Sequence, residues 1–588
     1  MRRLPMRSTR RRFLGSTAAV SIGAAAWATT GCGDDDDDDV SITATPTSAP
    51  DSTGSVVTAS PTPADPFASA KRGGIYKVDW TGDPPTIDPY GNTGFLTKTF
   101  AAYVYSRLFK FQTGPGIAAG DVRPTGDLAE SAEASPDGLK WTIKLRAGAK
   151  FHNVTPVNGR EVTSEDAKYS WGRATATSNP NYSQLAFVDK VEYPDPRTVV
   201  FTLKAPNAAF LDVLADANLF WVMPKEADGG FNAATTAIGS GPWLFDSYTV
   251  SSGVKFKKNP DWHVSGFPLM DGVEIAIIPE YANRIAQFRA GNTHATGINA
   301  ADLISIRQSM ANIILEGNLS EQTSYVYFDS DPSGPWRDER VRQAISMSLD
   351  RDGMNDLAFE VKKLRSAGID IQSLWNNVIP AGMTRYWLDP KSAAHGDTGK
   401  YFKYDVGEAR KLLAAAGFAN GFAAKFQYAG NRYGSDFNAL AEAKISFLTE
   451  LGLNITTDVQ DYNSVYITQT SVGNFNGIAF GPETPFPEPG GYALRLFTDN
   501  PKNRGKVRDA ELDRMAQAQQ SELDPEKRRQ LFLDLQKYQA GKMYYIPSQY
   551  RAGTNWTGYQ PKVKNADSYR TKGYAAATES LVYRWLDA

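Results

Sequence analysis

The residues best suited to chemistry are few and scattered. Four histidines, His152, His263, His294 and His395, stand far apart in the chain. None belongs to a His-Glu-x-x-His pair that would hold zinc on one helix face. Gly239-Ser240-Gly241 lacks the Gly-x-Ser-x-Gly spacing that lifts a serine onto a strand-to-helix elbow. Gly73-Gly74 is not followed by Lys-Ser or Lys-Thr in the register of a phosphate loop. Glu165-Asp166 could act as an acid and base pair, but it falls where a helix begins, and acids there complement the helix dipole. These patterns point to binding rather than turnover, and they require no cofactor and no metal.

The single cysteine, Cys32, carries a different chemistry. Residues 1–31 hold Arg2, Arg3, Arg7, Arg10, Arg11 and Arg12, no acid, and the apolar run Leu14 to Ala28. That run is too short for a membrane span, which needs about 20 residues, and it has the form of a signal peptide. Thr9-Arg10-Arg11-Arg12-Phe13-Leu14-Gly15 resembles the twin-arginine export signal, an address for proteins already folded. Thr30-Gly31-Cys32 resembles the end of a lipoprotein cleavage box, with Thr29 where a leucine is usual. The expectation is lipidation of Cys32 and an extracytoplasmic, membrane-anchored protein. An ordinary secretory signal with an unrelated cysteine is the alternative. A lone thiol excludes an intrachain disulfide framework.

Residues 32–70 read as a disordered tether: Asp34 to Asp39, then Ser, Thr, Ala and Pro, with no Lys or Arg. A flexible coil of this length places its far end about 35 Å from the anchor. The whole chain has a formal net charge of −2. Six arginines lie in the signal and eight acids in the tether, so residues 71–588 carry no net charge. A neutral body has no overall field for nucleic acid.

The body is too long for a single core, and its elements alternate in type. Leu139, Trp141, Ile143 and Leu145 alternate with polar residues after the turn Asp137-Gly138, which predicts a half-buried strand. Thr198 to Lys204 repeats that pattern after Pro194-Asp195-Pro196. Asp405 caps a predicted helix over 406–416 that closes at Gly417. Asp524-Pro525 starts another, with Leu531, Leu535 and Tyr538 on its apolar face and Gly541 at its end. A third, marked by Leu440, Phe447, Leu448 and Leu451, ends at Gly452 before a strand over 453–459. This mixture predicts an α/β or α+β protein.

Several segments in order along the body resemble the family 5 solute-binding proteins of ABC importers, the oligopeptide- and dipeptide-binding group. They include Gly73 to Val78, Asp83-Pro84-Pro85-Thr86-Ile87-Asp88-Pro89, Leu128 to Ser131 and Leu145 to His152. Thr163 to Trp171, Gly239 to Trp243, Lys258 to Trp262 and Arg289-Ala290-Gly291 follow. Val341 to Ile345, Leu349-Asp350-Arg351 and Tyr544-Tyr545-Ile546-Pro547 complete the series. The resemblance implies an α/β, two-lobed periplasmic-binding-protein-like clamp (type II, cluster C) with an extra subdomain in its first lobe. It places the first lobe at 71–330, completed by 548–588, with the extra subdomain at about 115–230. The second lobe falls at 331–547. The implied partners are a peptide or other peptide-sized solute and an ABC importer permease, with the membrane reached through the lipid, and the implied state is a monomer.

The resemblance also implies site residues. Oligopeptide-binding members carry Gly-Trp-x-Ala-Asp-Tyr, whose Asp pairs with the peptide's α-amino group. The matching stretch here is Gly481 to Pro489, with Pro482 at the Trp position and Pro485 at the Asp position. A neutral ring cannot compensate a buried ammonium. Glu483 is the nearby substitute, or else the ligand is not a free-amine peptide. The Pro-rich segment, including Phe486, reads as both a rigid loop and a pocket wall. Asp83, Tyr182, Tyr462, Tyr544 and Tyr545 match ligand-facing positions by place, with core packing the rival reading for each aromatic. Other ligands within the same fold, an oligosaccharide or a metal chelate, stay open. So do an extracytoplasmic sensor and a secreted hydrolase.

Overall fold

A computed structural model describes residues 67–92, 94–117, 123–179, 181–310, 312–320, 322–483, 485–486, 488–500, 503–549, 554–566 and 576–587. Cys32, the signal segment and nearly all of the tether lie outside them. Among the described residues no helix is long and apolar enough to cross a membrane.

Two large sheets organise the body. The first has seven strands in the order Ile314–Leu319, Thr554–Tyr559, Ala295–Ile298, Ile75–Trp80, Gly272–Ile277, Gly253–Lys258 and Trp243–Thr249. Ile75–Trp80 runs parallel to both Gly272–Ile277 and Ala295–Ile298. A four-stranded antiparallel sheet, Ala129–Ala134, Lys140–Leu145, Thr198–Leu203 and Val188–Asp195, shares a continuous apolar core with it. The strands expected from alternation around 139–146 and 198–204 are the inner pair of this smaller sheet.

The second sheet has the order Asn454–Gln460, Ala423–Ala429, Ile478–Pro482, Ser324–Phe328 and Ile546–Ser548. Both its faces are buried, and the period-two geometry of strands sorts its side chains into two cores. Val326, Phe328, Phe426, Ile478, Phe480 and Ile546 pack on one face with the helices Glu339–Met347 and Ser435–Leu451. Tyr325, Tyr327, Ala479 and Tyr545 pack on the other with Gly490–Phe497, Ala510–Ser521 and Pro525–Lys542.

The chain passes between the sheets at two places that lie side by side. Leu319 pairs with Thr554 at the edge of the first sheet, and Ser324 pairs with Ser548 in the second. Ser324–Phe328 therefore belongs to the second sheet, and the chain leaves the first sheet after Leu319, ahead of the expected boundary at 330. A continuous Ser-Tyr-Val-Tyr-Phe run, buried throughout, fits only a strand covered on both faces. Val361, Leu364, Ile369 and Ile371 pack with Phe288, Ile298 and Trp556, so this stretch adds to the core of the first sheet.

Local signals explain the helices well. The Asp405 carboxylate accepts from the Glu408 amide at 2.9 Å, and the helix runs Val406–Ala415 with Gly417 at φ +92°. Thr163 and Asp166 form a capping box at the start of Ser164–Thr175, so that acid pair is structural. The helix after Asp524 departs from expectation. It ends on Met543 in the left-handed region, beyond Gly541, and buries Phe532, Leu535, Gln536 and Gln539 rather than Leu531 and Tyr538. The two glutamine amides carry the reason: Gln536 donates to the Tyr386 carbonyl at 2.8 Å and Gln539 to the Tyr545 carbonyl at 2.7 Å. Hydrogen-bonded amides rotate the buried face away from the apolar pattern.

Candidate functional site

Open α/β sheets place ligands beyond the carboxyl ends of their parallel strands. In the second sheet, Asn454–Gln460 and Ile478–Pro482 both run parallel to Ala423–Ala429. Their carboxyl ends deliver Arg432 and Tyr433, Tyr462, and Glu483 to one edge. Tyr433 and Tyr462 are half-buried and meet edge-on at 5.6 Å, while Tyr462 stacks on Tyr466 at 6.1 Å. The Arg432 guanidinium lies 5.4 Å from the Tyr462 ring centre. Tyr466 continues the wall inward, its hydroxyl 3.3 Å from that of Tyr327.

Glu483 is buried and faces two arginines, with Arg495 Nε at 3.1 Å and Arg504 Nη2 at 3.4 Å from its Oε1. The Arg504 guanidinium lies 5.7 Å from the Tyr327 ring centre. Burial opposes the Arg504 charge, but Glu483 and the hydroxyls of Tyr466, Tyr327 and Tyr433 outweigh it and hold its pKa well above the usual value. Burial pulls Arg495 downward against the pull of Glu483. A guanidinium stays protonated in either case, so one carboxylate serves two cations. Arg504 Nε and Nη1 are buried and make no hydrogen bond among the described residues. Gly481 permits this packing: a Cβ there would stand 1.6 Å from the Tyr466 hydroxyl and 3.5 Å from Arg504 Nη1.

The residues expected from sequence divide around this cluster. Tyr462 and Glu483 are within it. Tyr545 is fully buried beside it, edge-on to Tyr325 at 5.6 Å, with its hydroxyl donating to Asn503 Oδ1 at 2.9 Å and accepting from the Gly505 amide at 2.9 Å. Tyr544, in the bend before Ile546–Ser548, packs at the margin of the same core as Tyr545. It lies over Arg342 at 4.4 Å and donates to Asp509 Oδ2 at 3.1 Å. Phe486 packs edge-on to Tyr492 at 5.0 Å, with Arg495 5.5 Å from its ring centre. The expected strand before the Pro-rich segment runs on through Pro482.

Asp83 and Tyr182 lie elsewhere. Asp83 follows Ile75–Trp80 at the carboxyl edge of the first sheet, where its carboxylate accepts from the Ser251 amide at 2.8 Å and the Tyr248 hydroxyl at 2.7 Å. Those two bonds, the amide first, lower its pKa. Tyr182 is 43% exposed and lines a cleft of about 320 Å³ beside the four-stranded sheet, with Trp171, Leu185, Lys190 and Lys204. Sequence reasoning missed Tyr433, Tyr466, Arg495 and Arg504. The ends of predicted parallel strands mark Tyr433. Arg504 sits in an irregular Asn-Arg-Gly stretch that carries no comparable signal.

Comparison with known proteins places this geometry in a family. Residues 123–504 match the family described as bacterial extracellular solute-binding proteins, family 5 Middle. An ABC transporter peptide-binding protein of Brucella ovis is 30% identical over 376 residues, which span 61% of this chain and 66% of that protein. The periplasmic binding protein DppA of Helicobacter pylori, solved with the peptide STSA, superposes with a TM-score of 0.67 at 21% identity, covering 88% of this chain and 99% of that one. AgaA of A. tumefaciens R10, solved with agropinic acid, gives 0.66 at 22% identity with the same coverage. These two structures share the two-lobed clamp fold with this protein. The extent of the family match, from the four-stranded sheet through Arg504, makes this chain a member of the family 5 bacterial extracellular solute-binding proteins.

Proposed function

We propose that this protein is the substrate-binding component of an ABC importer, holding a peptide or peptide-sized solute between two lobes and delivering it to a membrane permease. The observation that carries this reading is the tyrosine and arginine wall gathered at the carboxyl ends of three parallel strands. Rigid aromatic faces with a few placed charges suit a small solute. The lobes correspond to the two large sheets, and the paired crossings at Leu319/Thr554 and Ser324/Ser548 serve as the hinge. Tyr462 and Phe486, both half-buried, are the aromatic ligand contacts of the second lobe, and Tyr545 backs them from the core. Cys32 carries the lipid that keeps the receptor, a monomer, near its permease outside the cytoplasm, and the acidic tether supplies the reach. Capture and release, rather than turnover, is its activity.

A thermal-shift screen of the full chain against dipeptides to pentapeptides tests the peptide reading. A ligand at 100 times its dissociation constant adds about 2.7 kcal/mol. Stabilisation by an oligosaccharide or metal chelate alone would instead select a non-peptide solute. One feature favours that second reading. Pro485 offers no carboxylate to an amine, and Glu483 already faces two arginines. Membrane fractionation of cells expressing the wild type and Cys32→Ala tests the anchor, with the variant expected in the soluble fraction.

A further inference from the structure

Besides the two crossings, the halves of the body meet along a seam. On one side stand the Asp137-Gly138 turn of the four-stranded sheet, Pro206 and the short helix Phe210–Ala215. On the other stand the end of Ala510–Ser521 and the start of Pro525–Lys542, which cover the second sheet. The Ala208 amide donates to the Gln520 carbonyl at 2.7 Å. A Cβ on Gly138 would stand 3.1 Å from Leu523, which therefore fills the space over that turn. Beside these contacts Asp212 is half-buried and faces Glu488 and Arg528 across the seam. Glu488 is fixed in place, accepting from Arg528 Nη2 at 2.6 Å and from the Gly490 and Gly491 amides, each at 2.9 Å. Arg528 also donates to the Gln519 carbonyl and to Gln519 Oε1, each at 3.0 Å, and these bonds all stay on its own side. Tyr386 and Asp216 are the other titratable groups near Asp212. Asp216 faces Arg107 and Lys98, Arg385 bonds Glu526 at 2.7 Å, and Lys110, on the strand Phe109–Phe111 that packs on the helix, lies 3.9 Å from Asp127.

We propose that this seam is a proton-linked latch: closing it seats Asp212 against Glu488, and Asp212 takes up a proton as it does so. Burial and Glu488 raise Asp212 to about 7 in the closed seam, against the pull of Arg528. With the seam parted, Asp212 regains water and leaves Glu488, and its carboxyl returns to the ordinary range near about 3.9. A group that holds its proton more tightly in the closed form favours closure in full below its open-form value, and that advantage is lost as pH rises through about 7. The consequence for capture rests on the solute-binding reading above: a solute touching both lobes is held more tightly in acid and released more readily in alkali. The latch itself stands on the seam alone.

Hydrogen exchange of the full chain, read at single amides, tests the latch with the proton as the only ligand. The Ala208 amide reports opening of the seam. The Val222 amide, bonded to the Ser106 carbonyl at 2.9 Å on the same side of the seam, is the control for global opening. After correction for intrinsic rates, protection at Ala208 is expected to fall by roughly ten- to fiftyfold from pH 5 to pH 7, beyond any change at Val222, as one proton taken up on closure requires. Asp212→Asn, neutral at every pH, is expected to abolish that extra fall and to keep Ala208 near the acid value of the wild type. Glu488→Gln leaves Asp212 in place and removes the charge it meets. It is expected to shrink the wild-type difference severalfold, and it takes over should Asp212→Asn fail to fold. Equal protection of Ala208 at the two pH values, or equal changes at Ala208 and Val222, overturns the latch and leaves the solute-binding reading standing. An extra fall that survives Asp212→Asn, or that Glu488→Gln leaves at full size, also overturns it, because another group then carries the proton. Failure of the solute-binding reading shows instead in the solute screen and leaves these exchange rates untouched.

Discussion

The two sheets end in similar architecture and opposite electrostatics. At the carboxyl edge of the first, the surface polar groups pair with one another. Asp83 ties down the hairpin between Trp243–Thr249 and Gly253–Lys258, and the Tyr281 hydroxyl donates to Asp302 while accepting from the Asn299 amide. At the carboxyl edge of the second, one buried carboxylate stands between two guanidinium groups, and tyrosines surround them. The first edge keeps a single buried carboxylate oxygen, Asp79 Oδ1, without a hydrogen bond among the described residues, and Arg284 stands 3.5 Å from that carboxylate. The second keeps charge and donors in reserve, which is the condition under which binding a solute gains the most. A shared strand arrangement thus fixes where a site can be, and the side chains at each edge decide whether one is there.

That contrast breaks most severely at Glu483. Glu483→Gln leaves Arg495 and Arg504 buried without a carboxylate, and removing one partner of a buried ion pair costs about 3–5 kcal/mol. Urea unfolding should reveal this as a lower midpoint with little change in slope. A loss below about 1 kcal/mol would mean that the two arginines are compensated elsewhere.

Acid attacks the first region instead. His152 is buried, with Nε2 3.1 Å from the Gly241 carbonyl oxygen, and burial lowers its pKa to about 4. Burial, with Lys562 and Lys77, likewise lowers His294 to about 4. In the unfolded chain both take protons near the ordinary value of 6.5, so the unfolded state binds more protons in between. The stability they contribute is fully present above 6.5 and is lost as pH falls towards 4, by up to about 3 kcal/mol for His152. Two acids oppose this. Burial and the nearby Glu488 raise Asp212 to about 7, and burial raises Asp216 to about 6, so both favour the folded state as pH falls. The clean observable is therefore a difference. Between pH 7 and 5, His152→Gln should lose less stability than the wild type, and identical slopes would sink the assignment.

Much of this molecule is legible in its sequence, and the exceptions share a cause. Local signals hold: Asp405 with Gly417 bounds its helix, and the alternation at Leu139 to Leu145 makes its strand. The order of family-like segments recovers the fold. Errors arise where long-range polar contacts decide. Gln536 and Gln539 turn a helix face that leucine spacing alone assigns differently. Ser324–Phe328 joins the second sheet because both its neighbours there come from distant residues, 478–482 and 546–548. Tyr462 and Glu483 both come to the second sheet's carboxyl edge, yet the fact that Glu483 serves Arg495 and Arg504 depends on contacts across up to 21 residues, with the helix Gly490–Phe497 between them. No periodicity carries that information.

Two glycines separate the edges at smaller cost. Gly481 and Gly297 both sit in strands, one in each sheet. A Cβ at Gly481 would stand 1.6 Å from the Tyr466 hydroxyl, whereas at Gly297 nothing lies within 4 Å. Gly481→Ala must displace a buried tyrosine, and overpacking of this kind costs about 1–3 kcal/mol. Gly297→Ala is expected to be neutral or mildly stabilising, by about 0.5 kcal/mol. Equal thermal midpoints for the two variants would show that the tyrosine wall yields freely, which a preorganised binding surface should not do.

The smallest effect is expected at Asp83, and it tests the quiet half of the comparison. Its carboxylate is near the surface and already bonded to Ser251 and Tyr248 of the hairpin. Asp83→Asn keeps an oxygen able to accept from the Ser251 amide and removes only a screened charge. The expected cost is about 0.5 kcal/mol, typical of a surface substitution. Solute affinity should change by less than about threefold, since no donor or acceptor of the second edge is touched. The same ligand titrated into the wild type and Asp83→Asn makes the contrast direct. A tenfold loss in the Asp83 variant would mean that the hairpin carboxylate reaches the solute, and the first edge would then be a second pole of the site rather than a completed piece of scaffold.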